Sequence, residues 1–360
     1  MDTAIGAILA QDGLVSGAIY ALLALAIVVV FSVTRVLFIA LGEFVAYGAL
    51  TFAMLQLGRW PLSVNLLLGL AALAWLMELL AILRRPERRQ RLGAELAASV
   101  WRLLCWPVVT AALLWLLPRA GWPLESLDQP VQMTLTLAVV APMGALLYRV
   151  AYQPLAASSS LVLLIVSVGV HFVLMGLGLW MFGAEGARAD GLVDGMVDIG
   201  LLFIPWQSVV VMAVTVLAML GLYAFFGRTL AGKALRATAV NRRGAQIVGI
   251  SITQAGRLSF TLAAAIGALC GMLIAPFTTV YYDTGFLIGL KAFVGAIIGG
   301  LASFPLAVAG AVLVGLIESF ASFWASAFKE VLVFTLIIPV LLWRSLATSR
   351  QDGADEEAES

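Results

Sequence analysis

The sequence predicts an all-α, polytopic membrane protein of ten or eleven transmembrane helices, with its N-terminus outside and its C-terminus in the cytoplasm. Three observations lead there. The 360-residue chain is 62% hydrophobic and 11% charged, whereas an ordinary soluble domain is about 45–50% apolar and about 25% charged. Apolar runs of about 20 residues, the length that crosses the hydrocarbon core as a helix, recur along it. When those runs are threaded alternately, the Lys and Arg residues separate by side, as the positive-inside rule requires.

In chain order, spans are expected at 13–33, 36–57, 62–83, 103–118, 130–148, 160–182, 204–226, 257–279 and 330–344. The N-terminus carries Asp2 and Asp12 but no Lys or Arg before the first run. It therefore lacks the basic head of a signal peptide, and the first span is expected to stay in the mature protein. The run 103–118 is short but apolar enough to span. The stretch 286–325 is Gly-rich and broken by Ser303, Phe304 and Pro305, so it reads as two short helices or a broken hairpin. Eleven spans place 16 of the 21 basic residues in the cytoplasm, among them Arg35, Arg84, Arg85, Arg88, Arg89, Arg91, Arg102, Arg149, Arg257, Arg344 and Arg350. Arg59, Arg119, Arg188, Lys291 and Lys329 remain outside. A single span over 286–325 gives 15 against 6. Charge thus sets the orientation and leaves the choice between ten and eleven open.

Outside the spans, the loop 183–203 carries Glu185, Asp190, Asp194 and Asp198 against Arg188. It is either a solvated acidic loop or a face for a soluble partner or solute. The tail 346–360, rich in Asp and Glu, is expected to be disordered. A net charge of +1 gives no bias toward nucleic acid. Cys105 and Cys270 lie in apolar runs and read as small buried hydrophobes rather than a disulfide or metal site.

Residues 227–256 stand apart. They carry Arg228, Lys233, Arg236, Arg242 and Arg243 with no Asp or Glu. In a chain otherwise built for lipid, a basic amphipathic segment of this length lies outside the bilayer and reads as a cytoplasmic docking surface for a soluble partner. Gly227 to Lys233 matches the start of a phosphate-binding P-loop. However, Ala234 stands where a hydroxyl should hold magnesium, and an apolar helix rather than a buried strand precedes it. The chain is therefore not expected to hydrolyse ATP.

His171, Glu78, Glu43 and Glu318 fall within spans. A lone histidine, His171, cannot build a metal site or a triad, and a helix-interface hydrogen bond is the reading preferred over a proton relay. Glu78 can reach the cytoplasmic interface beside Arg84 and Arg85. Glu43, next to Gly42 near the start of its helix, either lines a path or orients the helix; Glu318 is expected to hydrogen-bond a neighbouring helix. No paired arrangement of the kind an ion-coupled carrier uses is evident. Gly13/Gly17, Gly267/Gly271, Gly285/Gly289 and Gly295/Gly299 predict close helix packing, within the chain or with a second membrane subunit. The broken segment with Gly295, Gly299, Gly300 and Pro305 is a candidate wall of a translocation path.

Several of these stretches, in order, resemble the permease subunits of branched-chain amino acid ABC importers. They are Gly17-Ala-Ile-Tyr20 through Leu25, Arg35 through Gly42-Glu43-Phe44, Tyr148-Arg149 through Tyr152-Gln-Pro154-Leu155, and Gly232-Lys233 through Ile250. The last runs from Gly289-Leu-Lys291 through Pro305 to Gly310, Gly315 and Glu318. The resemblance implies a permease domain over 1–345 in a bacterial inner membrane. A second homologous permease, two soluble ABC ATPases and a periplasmic solute-binding protein would be its partners. No cofactor would bind this chain; ATP would be used by the partner subunits. Residues 232–251 would form a short helix seated in an ATPase cleft. Lys233, Arg236, Asn241, Arg242 and Arg243 would make polar contacts there, Gly244 and Gly249 would permit close approach and a turn, and Ala237, Ala245, Ile247 and Val248 would form the apolar face. Tyr20, Gly42 and Glu43 join the path candidates.

Two departures from the family pattern stand out. Phe38 and Leu41 occupy positions that are usually Asn and His, which leans toward apolar solutes. Residues 58–129 look like an inserted pair of helices around a basic loop, 84–102. The rival reading is an ion-coupled secondary transporter of small amphipathic solutes. A membrane enzyme is disfavoured because a single histidine rules out most metal chemistries.

Overall fold

The computed structural model describes residues 3–84, 92–193, 195–198 and 203–342. Arg85, Arg88, Arg89, Arg91, Asp194, Arg344, Arg350 and the acidic tail lie outside the described residues. Among the described residues the regular elements are helices, one small hairpin and an isolated bridge between Ala187 and Val280. The helices are α1 (Thr3–Thr34), α2 (Leu41–Gln56), α3 (Ser63–Arg84), α4 (Leu92–Arg119), α5 (Gln129–Leu147), α6 (Ser160–Phe182) and α7 (Trp206–Arg228). They continue with α8 (Leu230–Val240), α9 (Arg242–Ile247), α10 (Ile252–Ile274), α11 (Thr284–Ile298), α12 (Phe304–Trp324) and α13 (Lys329–Thr335). Strands β1 (Met196–Asp198) and β2 (Phe203–Pro205) pair antiparallel in the outer loop. Eight of the helices are long and apolar enough to cross a membrane.

The centre is α1, buried over most of its length and packed against α10, α11 and α12. Its closest neighbour is α12, because glycines remove the side chains at the crossing. A Cβ on Gly13 or Gly17 would sit 2.8 Å from Leu316 Cα or Val312 Cα. Gly271 likewise lets α10 meet Val45 and Ala49 of α2. All four predicted glycine pairs make contacts of this kind within the chain. By contrast α3, α4 and α7 leave most of their apolar surface outward, as lipid-facing helices do.

Helix ends follow local chemistry, and several depart from the expected spans. The second span was expected from residue 36, but α2 begins at Leu41. Arg35 takes a positive φ of 61° that ends α1, and the Thr34 hydroxyl accepts the Val36 N–H at 3.3 Å in the turn that follows. The span expected at 257–279 lies earlier, because the Ser251 hydroxyl caps the start of α10 by accepting from Gln254 N–H and Pro276 follows its end. The basic loop expected over 84–102 is shortened: α4 is already helical from Leu92, through a run rich in Ala and Leu. The stretch 286–325 is a helical hairpin, α11 and α12, turned at Gly300 (φ 67°) and Leu301 (φ 57°). Its turn lies beside the inner end of α1, where Ser32 donates to Leu301 O at 3.5 Å. At the opposite end Gln56 accepts from Asp190 N–H at 2.8 Å, and Arg188 donates to Pro276 O.

Candidate functional site

Two helices, α2 and α11, are too short to span. At 1.5 Å per residue they are about 22–24 Å long, against about 30 Å of hydrocarbon. Helix α2 runs outward to Gln56, and α11 runs inward to the turn beside Ser32. Their first turns meet level with His171, and the chain leading into α11 comes from the outer loop, where Val280 bridges Ala187. The meeting point is a glycine contact: a Cβ on Gly42 would lie 2.9 Å from Phe286 Cα, and one on Gly289 would lie 3.0 Å from Gly42 Cα. His171, midway along α6, fixes the depth, with Nδ1 2.8 Å from Glu43 Oε1 and its ring stacked on Phe286 at 4.4 Å. Glu43 is fully buried, and its second carboxylate oxygen has no partner. Asp283, at the N-cap of α11, is exposed and makes no capping bond with its side chain. Both carboxylates sit at the partially positive ends of helices, where negative charge is favoured.

A second polar cluster lies among α1, α11, α12 and α13. Lys291 Nζ donates to Glu318 Oε1 at 2.5 Å and to Glu330 Oε1 at 3.0 Å. Tyr20 donates its hydroxyl to Glu318 Oε2 at 2.7 Å. This corrects two expectations. Lys291 is not an outer-surface cation but is only 5% exposed, because two acids compensate it within the packing. The intramembrane acids are also paired after all, Glu43 with His171 and Glu318 with Lys291. Pairing alone therefore does not separate a carrier from an importer subunit. Glu318 forms the hydrogen bonds to neighbouring helices that were expected, and His171 forms the expected interface bond. Glu78 reaches Arg149 at the end of α5 and forms an ion pair with it.

The candidate path residues are divided by the packing. Gly295 and Gly299 close against Ala311 and Ala307 of α12, so they are helix contacts rather than open wall. Pro305 lines a cavity of about 610 Å³ between α1, α7 and α12, with Arg236 among its lining residues, and Gly300 lines a neighbouring one of about 340 Å³. Phe38 is buried among Phe44, Tyr152 and Phe260, its ring 4.6 Å from that of Phe260. It fills the core behind α2 in place of a polar group.

The basic segment is cut into two short helices rather than the one expected, because three cap residues recur in it. Thr229 accepts from Gly232 N–H at 3.0 Å, Asn241 from Gly244 N–H at 2.9 Å, and Ser251 from Gln254 N–H at 3.4 Å. Gly249, with φ 87°, makes the turn into α10, and Ile250 N–H closes it onto Ala245 O at 2.9 Å. Leu235, Thr238 and Ala245 face inward, and Leu235 packs with Val33 at the end of α1 and Ala255 at the start of α10. Gly232 lies directly on the backbone of Phe225 and Phe226, which locks α8 to α7. The apolar face expected from Ala237, Ala245, Ile247 and Val248 is therefore split. Only Ala245 packs inward, while Ala237 is exposed and Ile247 and Val248 are 86% and 75% exposed, because Asn241 restarts the helix in a new direction. Lys233, Arg236, Asn241, Gly244 and Val248 border an open hollow of about 570 Å³ on this surface. The P-loop-like stretch is a helix end followed by a helix start, with no phosphate-cradling loop.

Sequence reasoning missed Glu330, which lies at the boundary of an expected span, where a charge reads as solvated.

A family model described as "Branched-chain amino acid transport system / permease component" matches residues 9–341. The chain is 31% identical to the high-affinity branched-chain amino acid transport system permease protein LivH of Escherichia coli K12 over 242 residues, 65% of this chain and 77% of that one. It is 31% identical to the corresponding BraD protein of Pseudomonas aeruginosa over 216 residues, 58% of this chain and 70% of that one. It is 28% identical to a probable branched-chain amino acid transport permease protein LivH of Methanocaldococcus jannaschii over 219 residues, 58% of this chain and 70% of that one. No solved structure shows a significant match.

Proposed function

The chain belongs to the branched-chain amino acid transport permease family, and we propose that it forms the translocation path of an ATP-driven importer for branched-chain or related hydrophobic amino acids. As a multi-pass inner-membrane permease it is a transport component rather than a catalyst. The partners proposed are a second homologous permease, two soluble ABC ATPases and a periplasmic solute-binding protein, with ATP used by the ATPases alone. The domain assignment follows: 1–345 is the permease, 58–129 a peripheral helical pair (α3 and α4), and 227–256 the coupling segment.

The observation that carries this reading is the surface of α8 and α9. It combines exposed Lys233, Arg236 and Arg243, the half-buried Arg242 and a rim of outward apolar side chains, Val240, Ile247 and Val248. Apolar side chains clustered on a charged, water-facing surface suit a protein partner. The inward side chains are packed on the ends of α1, α7 and α10. A push on this surface would therefore reach α1, and through it α11 and α12. A secondary transporter has no use for such a surface.

The test is charge reversal at Arg242 and Arg243 together in the reconstituted complex. ATP hydrolysis by the ATPases should persist while uptake of L-leucine is lost. Uptake at the wild-type rate would count against the coupling role.

A further inference from the structure

We propose that an anionic phospholipid of the inner leaflet binds between α1, α7 and α12, with its phosphate held by Arg35 and Arg236. The site stands on the packing alone and holds whether or not the importer reading does.

Depth comes first. The cavities of about 610 Å³ and about 340 Å³ share Val29, Phe226, Arg236 and Phe304, so they adjoin as parts of one hollow. Its lining reaches Leu25 on α1, Met219 on α7 and Val308 on α12, and goes no further outward. From Leu25 to the end of α1 at Thr34 is about 14 Å. That is about half of the roughly 30 Å of hydrocarbon. The hollow therefore ends blind within the cytoplasmic leaflet, where a solute path would continue across. It also opens sideways. Tyr223 lies on its wall yet is 80% exposed, and Leu220 and Leu306 face outward on the same two helices, α7 and α12.

Charge comes second. Arg35 lines the smaller cavity, Arg236 lines both, and no Asp or Glu lines either. Among the described residues neither guanidinium takes part in an ion pair. Arg35 rests over the Phe31 ring, 5.8 Å from its centroid. Two unpaired cations cap an apolar slot one leaflet deep. They match the phosphate of a lipid whose acyl chain fills the slot, the arrangement by which basic pockets between membrane helices take anionic headgroups. A zwitterionic headgroup would bring an ammonium group against the same arginines, so the site selects a lipid without one.

The backbone supplies an independent observation. Among the described residues only Arg35 (φ 61°) and Leu301 (φ 57°) are non-glycine residues with positive φ. Both line this hollow. Strain of this kind gathers where a ligand is clamped. Gly or Asn would relieve it at Arg35 but would give up the cation.

The test uses the purified complex, stripped of native lipid in mild detergent, with phosphatidylglycerol and phosphatidylcholine of identical chains as probes. Native mass spectrometry should show phosphatidylglycerol retained on the permease in preference to phosphatidylcholine. Arg35→Asn, which suits the left-handed backbone, should weaken phosphatidylglycerol binding about tenfold, the loss expected for one charge-assisted hydrogen bond. Val308→Trp should fill the slot and weaken binding of both lipids. Phosphatidylglycerol should raise the unfolding temperature of the wild type and leave that of Arg35→Asn unchanged. Equal retention of the two lipids, or wild-type phosphatidylglycerol binding in Arg35→Asn, overturns the assignment. So does a disulfide formed by Tyr223→Cys, in a background of Cys105→Ser and Cys270→Ala, with a second copy of this chain, which would place protein over the mouth. None of these readouts requires transport, so a failure here is distinct from a failure of the importer reading.

Discussion

Replacing Lys291 by Met tests how the buried cluster holds α11, α12 and α13 to α1. The Lys291 side chain is 7% exposed and serves Glu318, at 15%, and Glu330, at 36%. Met keeps the length and apolar stem but removes the charge, leaving two carboxylates face to face with only the Tyr20 hydroxyl as a donor to Glu318. Removing one partner of a buried pair costs about 3–5 kcal/mol. Glu330 has some access to water, so the lower end, about 3 kcal/mol, is expected here. The double variant Lys291→Met, Glu318→Gln removes a charge of each sign and keeps an acceptor for Tyr20. It should recover more than half of the loss, because a buried pair exchanged as a unit is often neutral. Thermal unfolding of the purified protein in mild detergent reads both, and the double-mutant cycle gives the coupling. A single variant within about 0.5 kcal/mol of wild type, the range of ordinary surface changes, would refute the reasoning. So would a double variant no better than the single one.

Two further predictions concern backbone geometry. Gly315→Val should force α1 from α12, since a Cβ there would lie 2.5 Å from Gly17 Cα. A loss at or above the upper end of about 1–3 kcal/mol for overpacking is expected, read as a lower unfolding temperature. Gly249→Val should strain the turn that ends the coupling segment, where φ is 87°, by about 1–2 kcal/mol. ATPases should be retained poorly on purification while the membrane core stays folded, and Gly249→Asn, which tolerates this region, should be milder.

Much of the fold was legible because it rests on composition and punctuation. The long apolar runs gave the spanning helices, and Ser303 to Pro305 marked the hairpin turn. What escaped notice depended on packing. Residues 36–40 are as apolar as any helix, so hydropathy alone could not show that α2 begins at Leu41, in mid-bilayer. Lys291 was assigned to the outside because charge counting treats every lysine as solvated. Its two acids lie 27 and 39 residues away in sequence, and only the helix arrangement brings them together. Asn241 did carry a readable signal, as a cap residue inside a helical pattern. Giving it weight would have predicted two short helices and turned Ile247 and Val248 outward.

The most direct test of the central claim is uptake by proteoliposomes that hold the permease pair and its ATPases, with binding protein and L-leucine outside, ATP enclosed, and proton and sodium gradients collapsed by ionophores. The account predicts accumulation that requires ATP and ignores the gradients. Accumulation that requires a gradient and proceeds without ATP would contradict it and identify a secondary transporter.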